Sequence, residues 1–373
     1  MKQRIIPLLL LLLVFLPIRA QAEEDGPAAM ILYEPRTKTV LEALNPDEPM
    51  LIASTTKIMT AMVVLENCTL RESVAVTKAH TDVEGSSALL QAGETYTVEE
   101  LLYGLMLASG NDAALALAEH TAGSVEGFAA LMNAKAEALG LENTHFANPH
   151  GLNASDHFST ARDLALMTAA AMENPAFCRI FAAQTYSTHG VEYRNHNKLL
   201  ESCPGCIGGK TGYTRAAGRT LVSCAERDGF RLICVTLSDP DDWEDHRRSY
   251  DNAFAAFEFL PFPADGWKRI PVISGTAFDV QLSCDASGIL VHRGAHVAQI
   301  VELPRFLFAP IAAGEAVGTV SVSENGHELC LESIRVSSAV ARDEEETLPP
   351  WRRYRRNIER QFAGSFHSED ILA

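Results

Sequence analysis

Between residues 28 and 263, strand-like apolar runs at both ends enclose a long, alanine-rich stretch with helical punctuation. That order implies a sheet with helices packed on it. At the front, residues 29–33 and 39–44 flank the turn-forming Glu34-Pro35-Arg36-Thr37 and read as a hairpin. At the back, residues 219–225 and 230–237 flank Arg227-Asp228-Gly229 as a second hairpin. Between them, Thr97 with Glu100 and Thr160 with Asp163 have capping-box spacing, Gly140 stands as a C-cap after 134–139, and Pro175 closes another helix.

After Pro261-Phe262-Pro263 the helical pattern gives way to short β-type runs, including 317–322 and 328–336 around the turn-forming Asn325-Gly326. Residues 264–340 therefore read as a small all-β domain, and 373 residues are enough for one large domain and this smaller one. The remainder, 341–373, is a charged tail: an acidic run, then Trp351, Tyr354, Ile358 and Phe362 at helical spacing among Arg352, Arg353, Arg355, Arg356 and Arg360. Such a segment could lie on an anionic membrane surface or stand as a solvated tail helix, since its apolar face has only these four residues. No internal repeat is evident.

The first 22 residues read as an export signal: Lys2 and Arg4, an apolar stretch over 5–18, then the small-x-small pattern Ala20-Gln21-Ala22. An apolar run of about 14 residues, interrupted by Pro7 and Pro17, spans a bilayer poorly. The chain is expected to work outside the cytoplasm, in the cell wall or at the outer face of the membrane. Its formal charge of −17 deepens when Lys2, Arg4 and Arg19 leave with the signal, and such a surface repels nucleic acid. Eight cysteines in an exported chain permit disulfides without establishing any. Cys203-Pro204-Gly205-Cys206 could be a local disulfide, a redox pair, plain thiols or half a zinc site, and no second paired ligand cluster supports zinc. The twelve histidines form no His-Glu-x-x-His helix, which argues against a metallopeptidase, and no cofactor or metal is implied.

Chemistry enters with Ser54 and Lys57. On a helix beginning at Ser54 the two share one face, so the amine can reach the hydroxyl. A lysine can serve as the base for a serine if burial or a neighbouring cation leaves its amine partly neutral. Such a pair arises by chance about once in a chain of average composition. The apolar residues on both sides, Met50-Leu51-Ile52-Ala53 and 58–65, bury this one, and a buried lysine needs a purpose. Next, Ser109-Gly110-Asn111 stands between two helical runs, where Ser109 could relay protons and Asn111 could orient Lys57 and a substrate. Last, Lys210-Thr211-Gly212 precedes the second hairpin; a strand there could offer a cation and a hydroxyl to a terminal carboxylate, with Gly212 allowing close approach. Backbone amides of Ser54 and Tyr213 could form an oxyanion hole.

The order and separation of these three motifs match the combination found in class A β-lactamases and penicillin-binding proteins. The chain resembles the serine D-alanyl-D-alanine carboxypeptidases of the low-molecular-mass penicillin-binding proteins, peptidase family S11. Beyond the triad, Ser109-Gly110-Asn111-Asp112-Ala113-Ala114, Asn143-Thr144-His145-Phe146-Ala147-Asn148-Pro149-His150-Gly151-Leu152 and Lys210-Thr211-Gly212-Tyr213-Thr214 with Ala217-Gly218-Arg219 are similar to that family. The resemblance is dense over residues 28–260, and 264–340 is similar to the family's second domain.

What it implies is an α/β fold: a β-lactamase/transpeptidase-like catalytic domain, an antiparallel sheet with helices, over 28–263, followed by a small sandwich-like β domain. It further implies Ser54 as nucleophile, Lys57 as base, Ser109 and Asn111 as relay and positioning groups, and Lys210 and Thr211 as carboxylate binders. The implied partners are peptidoglycan stem peptides ending in D-Ala-D-Ala, and β-lactam antibiotics. One departure stands out: where some relatives place a carboxylate-binding arginine, the segment 239–246 is acidic. The rival readings are a β-lactamase, which lacks here a convincing deacylating glutamate and would not carry the second domain, and a sensor or silent binder. A sensor needs a transmembrane signalling segment, and a silent binder has usually lost one of Ser54, Lys57, Asn111 or Lys210.

Overall fold

The computed structural model describes residues 26–262 and 269–343 and the helical positions Trp351, Tyr354, Arg355 and Ile358. The signal over 1–22, the boundary at 263/264 and most of the tail, Phe362 included, lie outside the described residues. Both expected hairpins form. Strands β1 (Ala29–Glu34) and β2 (Thr39–Leu44) pair antiparallel, as do β4 (Gly218–Arg227) and β5 (Phe230–Leu237). The tip of the second hairpin, Asp228-Gly229, takes φ of 52° and 84°, the left-handed pair that matches the twist of a tight hairpin. With β3 (Cys206–Thr214) these make one antiparallel sheet in the order β2-β1-β5-β4-β3. The two ends of the segment thus meet side by side, β1 against β5.

Side chains alternate across this sheet. Ile31, Tyr33, Val222, Ile233 and Val235 face one core and Met30, Leu32, Leu221, Leu232 and Cys234 face another. Because β1 and β5 are buried on both faces, they read as continuous apolar runs rather than alternating ones. The first core is closed by α1 (Lys57–Asn67), α2 (Val98–Met106), α3 (Asn111–Ala122), α4 (Val125–Ala138), α5 (Ala161–Ala171) and α6 (Pro175–Ala182). The second is covered by α7 (Asp242–Ala256) through Tyr250, Ala253 and Phe254. The Thr97/Glu100 box is reciprocal, with the Glu100 amide donating to Thr97 Oγ1 at 3.2 Å and the Thr97 amide donating to Glu100 Oε2 at 2.7 Å. Gly140 has φ 70° just past α4, as a C-cap should.

Pro175 behaves differently from expectation. It opens α6 rather than closing the helix before it: Asn174 Oδ1 caps the amides of Ala176 and Phe177, and the proline occupies the first turn, where no amide is missed.

The β-rich remainder has its own core of Phe262, Ile270, Val280, Leu282, Val320, Val322, Ile334 and Val336. Strand β6 (Phe257–Pro261) leaves α7 directly and pairs with β9 (Gly288–His292). A six-stranded sheet is built from β7 (Arg269–Ile273), β8 (Asp279–Cys284), β10 (Val297–Glu302), β11 (Leu307–Phe308), β12 (Ala316–Glu324) and β13 (His327–Val336), in the order β10-β12-β13-β8-β7-β11. The α/β part followed by an all-β part is the fold class the sequence implies, its second sheet reduced to the β6/β9 pair. Among the described residues no helix is long and apolar enough to cross a membrane.

Candidate active site

Ser54 does not begin an α-helix. It sits in a 3₁₀ turn, Ala53–Thr56, that leads into α1, and Lys57 is the first residue of α1. The spacing still works, with Lys57 Nζ 2.9 Å from Ser54 Oγ. The turn is held by Thr55 Oγ1 and Thr220 Oγ1, which both donate to the Ile52 carbonyl, and by Thr56 Oγ1, which donates to Ala53 O at 2.8 Å. His157 Nδ1 accepts from the Ala147 amide, so its Nε2 carries the proton and donates to Thr56 Oγ1 at 2.8 Å. Burial keeps that ring neutral, its pKa pushed down to about 4. Ala53 has φ 47° and Ser109 φ 57°, sparsely populated values held by their surroundings at two corners of the site.

The Lys57 amine is fully buried and meets three oxygens: Ser54 Oγ, Asn111 Oδ1 at 2.7 Å and the carbonyl of His150 at 2.7 Å. Asn111 is oriented by its own amide, Nδ2 donating to Glu84 O at 2.7 Å, so its oxygen must face the lysine. Burial first, then the nearby Lys210 cation, hold the Lys57 pKa well below that of an ordinary lysine, with Asp112 opposing. Asp112 ties down the segment opposite, accepting from Ser87 Oγ and the amides of Ala88 and Leu90.

Lys210, on β3, is also buried and donates to Ser109 Oγ at 3.1 Å and to Thr211 O at 2.9 Å. Burial lowers its pKa to about 7. Gly212 earns its place for a reason beyond ligand approach: a Cβ there would stand 2.3 Å from Thr220 Oγ1 and 2.9 Å from the Ser54 amide, so β3 and the serine turn pack backbone to backbone. Tyr213 lines the cleft and is 69% exposed.

These groups border a cleft of about 480 Å³ lined by Ser54, Ser109, Thr211, Gly212 and Tyr213, the size of a small-ligand site. All eight residues singled out in the sequence therefore converge. The structure adds others. His150 contributes only its carbonyl, a group that carries no residue identity. Its loop is set by Asn148, whose Oδ1 accepts from the amides of His150 and Gly151 and whose Nδ2 donates to Leu152 O, and by Thr60 Oγ1, which donates to Pro149 O. Gly151 has φ 89°, and a Cβ on it would lie 1.9 Å from Ala53 O. Gly151→Ala is therefore expected to push the His150 loop off the serine turn and lower turnover roughly 100-fold, measured as kcat with a parallel thermal melt.

Arg219, opposite Tyr213 across β3 and β4, also lines the cleft with Asp242 and Trp243. Its guanidinium donates to Asp242 Oδ1 at 2.5 Å and lies over the Trp243 ring, while its buried Nε has no hydrogen-bond partner. Asp242 belongs to the acidic segment noted in the sequence; its charge is turned onto Arg219. All eight cysteines, Cys203 and Cys206 included, are free thiols.

A half-buried serine against a buried lysine beside a cleft, on an antiparallel sheet flanked by helices, is an arrangement of the β-lactamase/transpeptidase fold class. A profile of the D-alanyl-D-alanine carboxypeptidases, peptidase family S11, matches residues 18–241. The chain is 31% identical over 352 residues to the D-alanyl-D-alanine carboxypeptidase DacF of Bacillus subtilis, covering 86% of this chain and 89% of that one. It is 33% identical over 347 residues to the D-alanyl-D-alanine carboxypeptidase DacC of Escherichia coli, covering 85% and 86%. The crystal structure of penicillin binding protein 5 from Haemophilus influenzae superposes with a TM-score of 0.75 at 28% identity, over 84% of this chain and 97% of that one. The chain belongs to the D-alanyl-D-alanine carboxypeptidase family S11 and is a serine-type enzyme of that class.

Proposed function

We propose that this enzyme is exported and removes the terminal D-alanine from peptidoglycan stem peptides through an acyl-enzyme on Ser54, and that β-lactams acylate the same hydroxyl. The observation that carries this reading is the environment of Lys57. A neutral amine has two N–H groups and one lone pair. Asn111 Oδ1 and the His150 carbonyl can only accept, so they take the two N–H groups, and the lone pair is left for the proton of Ser54.

In the first step the Ser54 proton passes to Lys57 as Oγ bonds to the carbonyl carbon between the two D-alanines. The amides of Ser54 and Tyr213 receive the developing oxyanion. The C–N bond then breaks, the leaving amine takes from Lys57, through Ser109, the proton that Ser54 gave up, and D-alanine departs with Lys57 neutral again. Water attacks the ester, releases the shortened peptide and restores the Ser54 hydroxyl. Lys210 and Thr211 hold the terminal carboxylate, and Arg219 in the cleft wall supplies the further cation that the acidic segment lacks. A β-lactam leaves its ring-opened amine tethered, so its ester persists. A neighbouring groove of about 650 Å³, which shares His196 with the cleft, offers room for the upstream peptide.

The test is to incubate the protein with a pentapeptide ending in D-Ala-D-Ala and, separately, with penicillin. Catalytic release of free D-alanine together with slow, persistent penicillin labelling is expected. Rapid penicillin hydrolysis without D-alanine release would make it a β-lactamase.

A pH profile probes the lysine pair. Lys210 helps to lower the Lys57 pKa, so removing its charge with Lys210→Gln lets Lys57 hold its proton to higher pH. The rising acid limb of the acylation rate is expected to move to higher pH in that variant. An unmoved limb would show that Lys210 does not set the state of the base.

A further inference from the structure

We propose that Cys68, Glu72 and His120 form a zinc site at the far ends of the two helices whose first residues are Lys57 and Asn111. Cys68 follows α1 directly, Glu72 lies in the turn beyond it, and His120 is in the last turn of α3. One ligand atom from each lies within 4.8 Å of the others, and all three residues are half-buried. His120 Nε2 stands 3.0 Å from Glu72 Oε2, and Cys68 Sγ stands 3.4 Å from Thr121 Oγ1.

Sulfur, imidazole and carboxylate donors together suit zinc. At its bond lengths of about 2.0–2.3 Å a tetrahedral ion holds its ligand atoms about 3.3–3.6 Å apart. The three atoms thus need to move by no more than about an ångström, a fourth position staying open to water. Glu72 is already turned inward, because its Oε1 accepts from the Thr69 amide at 2.6 Å and Oε2 is left to face the histidine.

Binding changes no oxidation state. The Cys68 thiol loses its proton to solvent as the S–Zn bond forms. With a thiolate, a carboxylate and a neutral imidazole, the loaded site carries no net charge. Helices α1 and α3 are 11 and 12 residues long, which puts the ion about 16 Å along α1 from the backbone of Lys57 and further from Ser54. It would clamp the two helices that aim the catalytic amine and amide without touching substrate, so it stands or falls apart from the reading of the cleft.

The test uses the whole protein, stripped with a chelator and kept under a phosphine reductant. Wild type is expected to take up one equivalent of zinc, to melt at a higher temperature with zinc than without, and to show a thiolate-to-metal absorption band with cobalt. Cys68→Ser should lose the cobalt band, and Glu72→Gln and His120→Ala should each bind zinc at least tenfold more weakly. A cooperative melt of each variant without metal checks that it is folded. Wild-type zinc affinity in Cys68→Ser, no zinc uptake by wild type, or a cobalt band that disappears only in a Cys203→Ser/Cys206→Ser variant would each overturn the proposal.

Discussion

Ser54→Ala is expected to lower D-alanine release by roughly 10⁴-fold or more, the scale on which removal of a covalent nucleophile acts. Of the three oxygens that meet the Lys57 amine, only the Ser54 hydroxyl can form an ester: the other two belong to an amide and a backbone carbonyl. The substitution removes no packing of consequence, since the serine turn is held by Thr55, Thr56 and Thr220 rather than by Ser54. The variant should therefore melt near the wild type while losing turnover. Loss of both together would mean that the serine is structural. Residual activity within tenfold of wild type would move the nucleophile elsewhere.

Lys57→Gln should slow acylation by about 10²–10⁴-fold, the usual range for a positioned general base. Glutamine retains polar atoms for Asn111 and the His150 carbonyl but has no lone pair basic enough to take the serine proton. Lys57→Arg should not restore the rate, because a guanidinium stays protonated at any working pH and cannot accept. The measurement is the second-order rate of penicillin labelling, which isolates the acylation half of the cycle. A variant that acylates normally but fails to release product would move the role of Lys57 to the second half, where it activates water.

Much of this was legible in the chain because it rests on local order. The hairpin β1/β2 shows as two runs around Glu34-Pro35-Arg36-Thr37, and Thr97/Glu100 as a capping box. Ser54 and Lys57 are three apart, a spacing that survives even though the turn is 3₁₀ and not α. Pro175 is ambiguous in the sequence because a proline can stand after one helix or at the first turn of the next, and only the Asn174 cap decides between them.

Other parts are invisible for physical reasons. The His150 carbonyl is a backbone atom, placed by Asn148 and by the absence of a side chain at Gly151. The pairing of Arg219 with Asp242 joins a strand to a helix 23 residues on, and Cys68 and His120 are brought together only by the packing of α1 against α3. Contacts of that kind depend on the fold and leave no periodicity in the sequence.

The central claim, that Ser54 becomes covalently acylated with Lys57 as its base, is tested most directly by intact-protein mass spectrometry after brief exposure to penicillin, followed by peptide mapping. The wild type should gain the mass of one whole penicillin, on the peptide that contains Ser54, and keep it through buffer exchange. Ser54→Ala should gain nothing, and Lys57→Gln should gain it far more slowly. An adduct on any other residue, or an undiminished adduct in Ser54→Ala, would contradict the account.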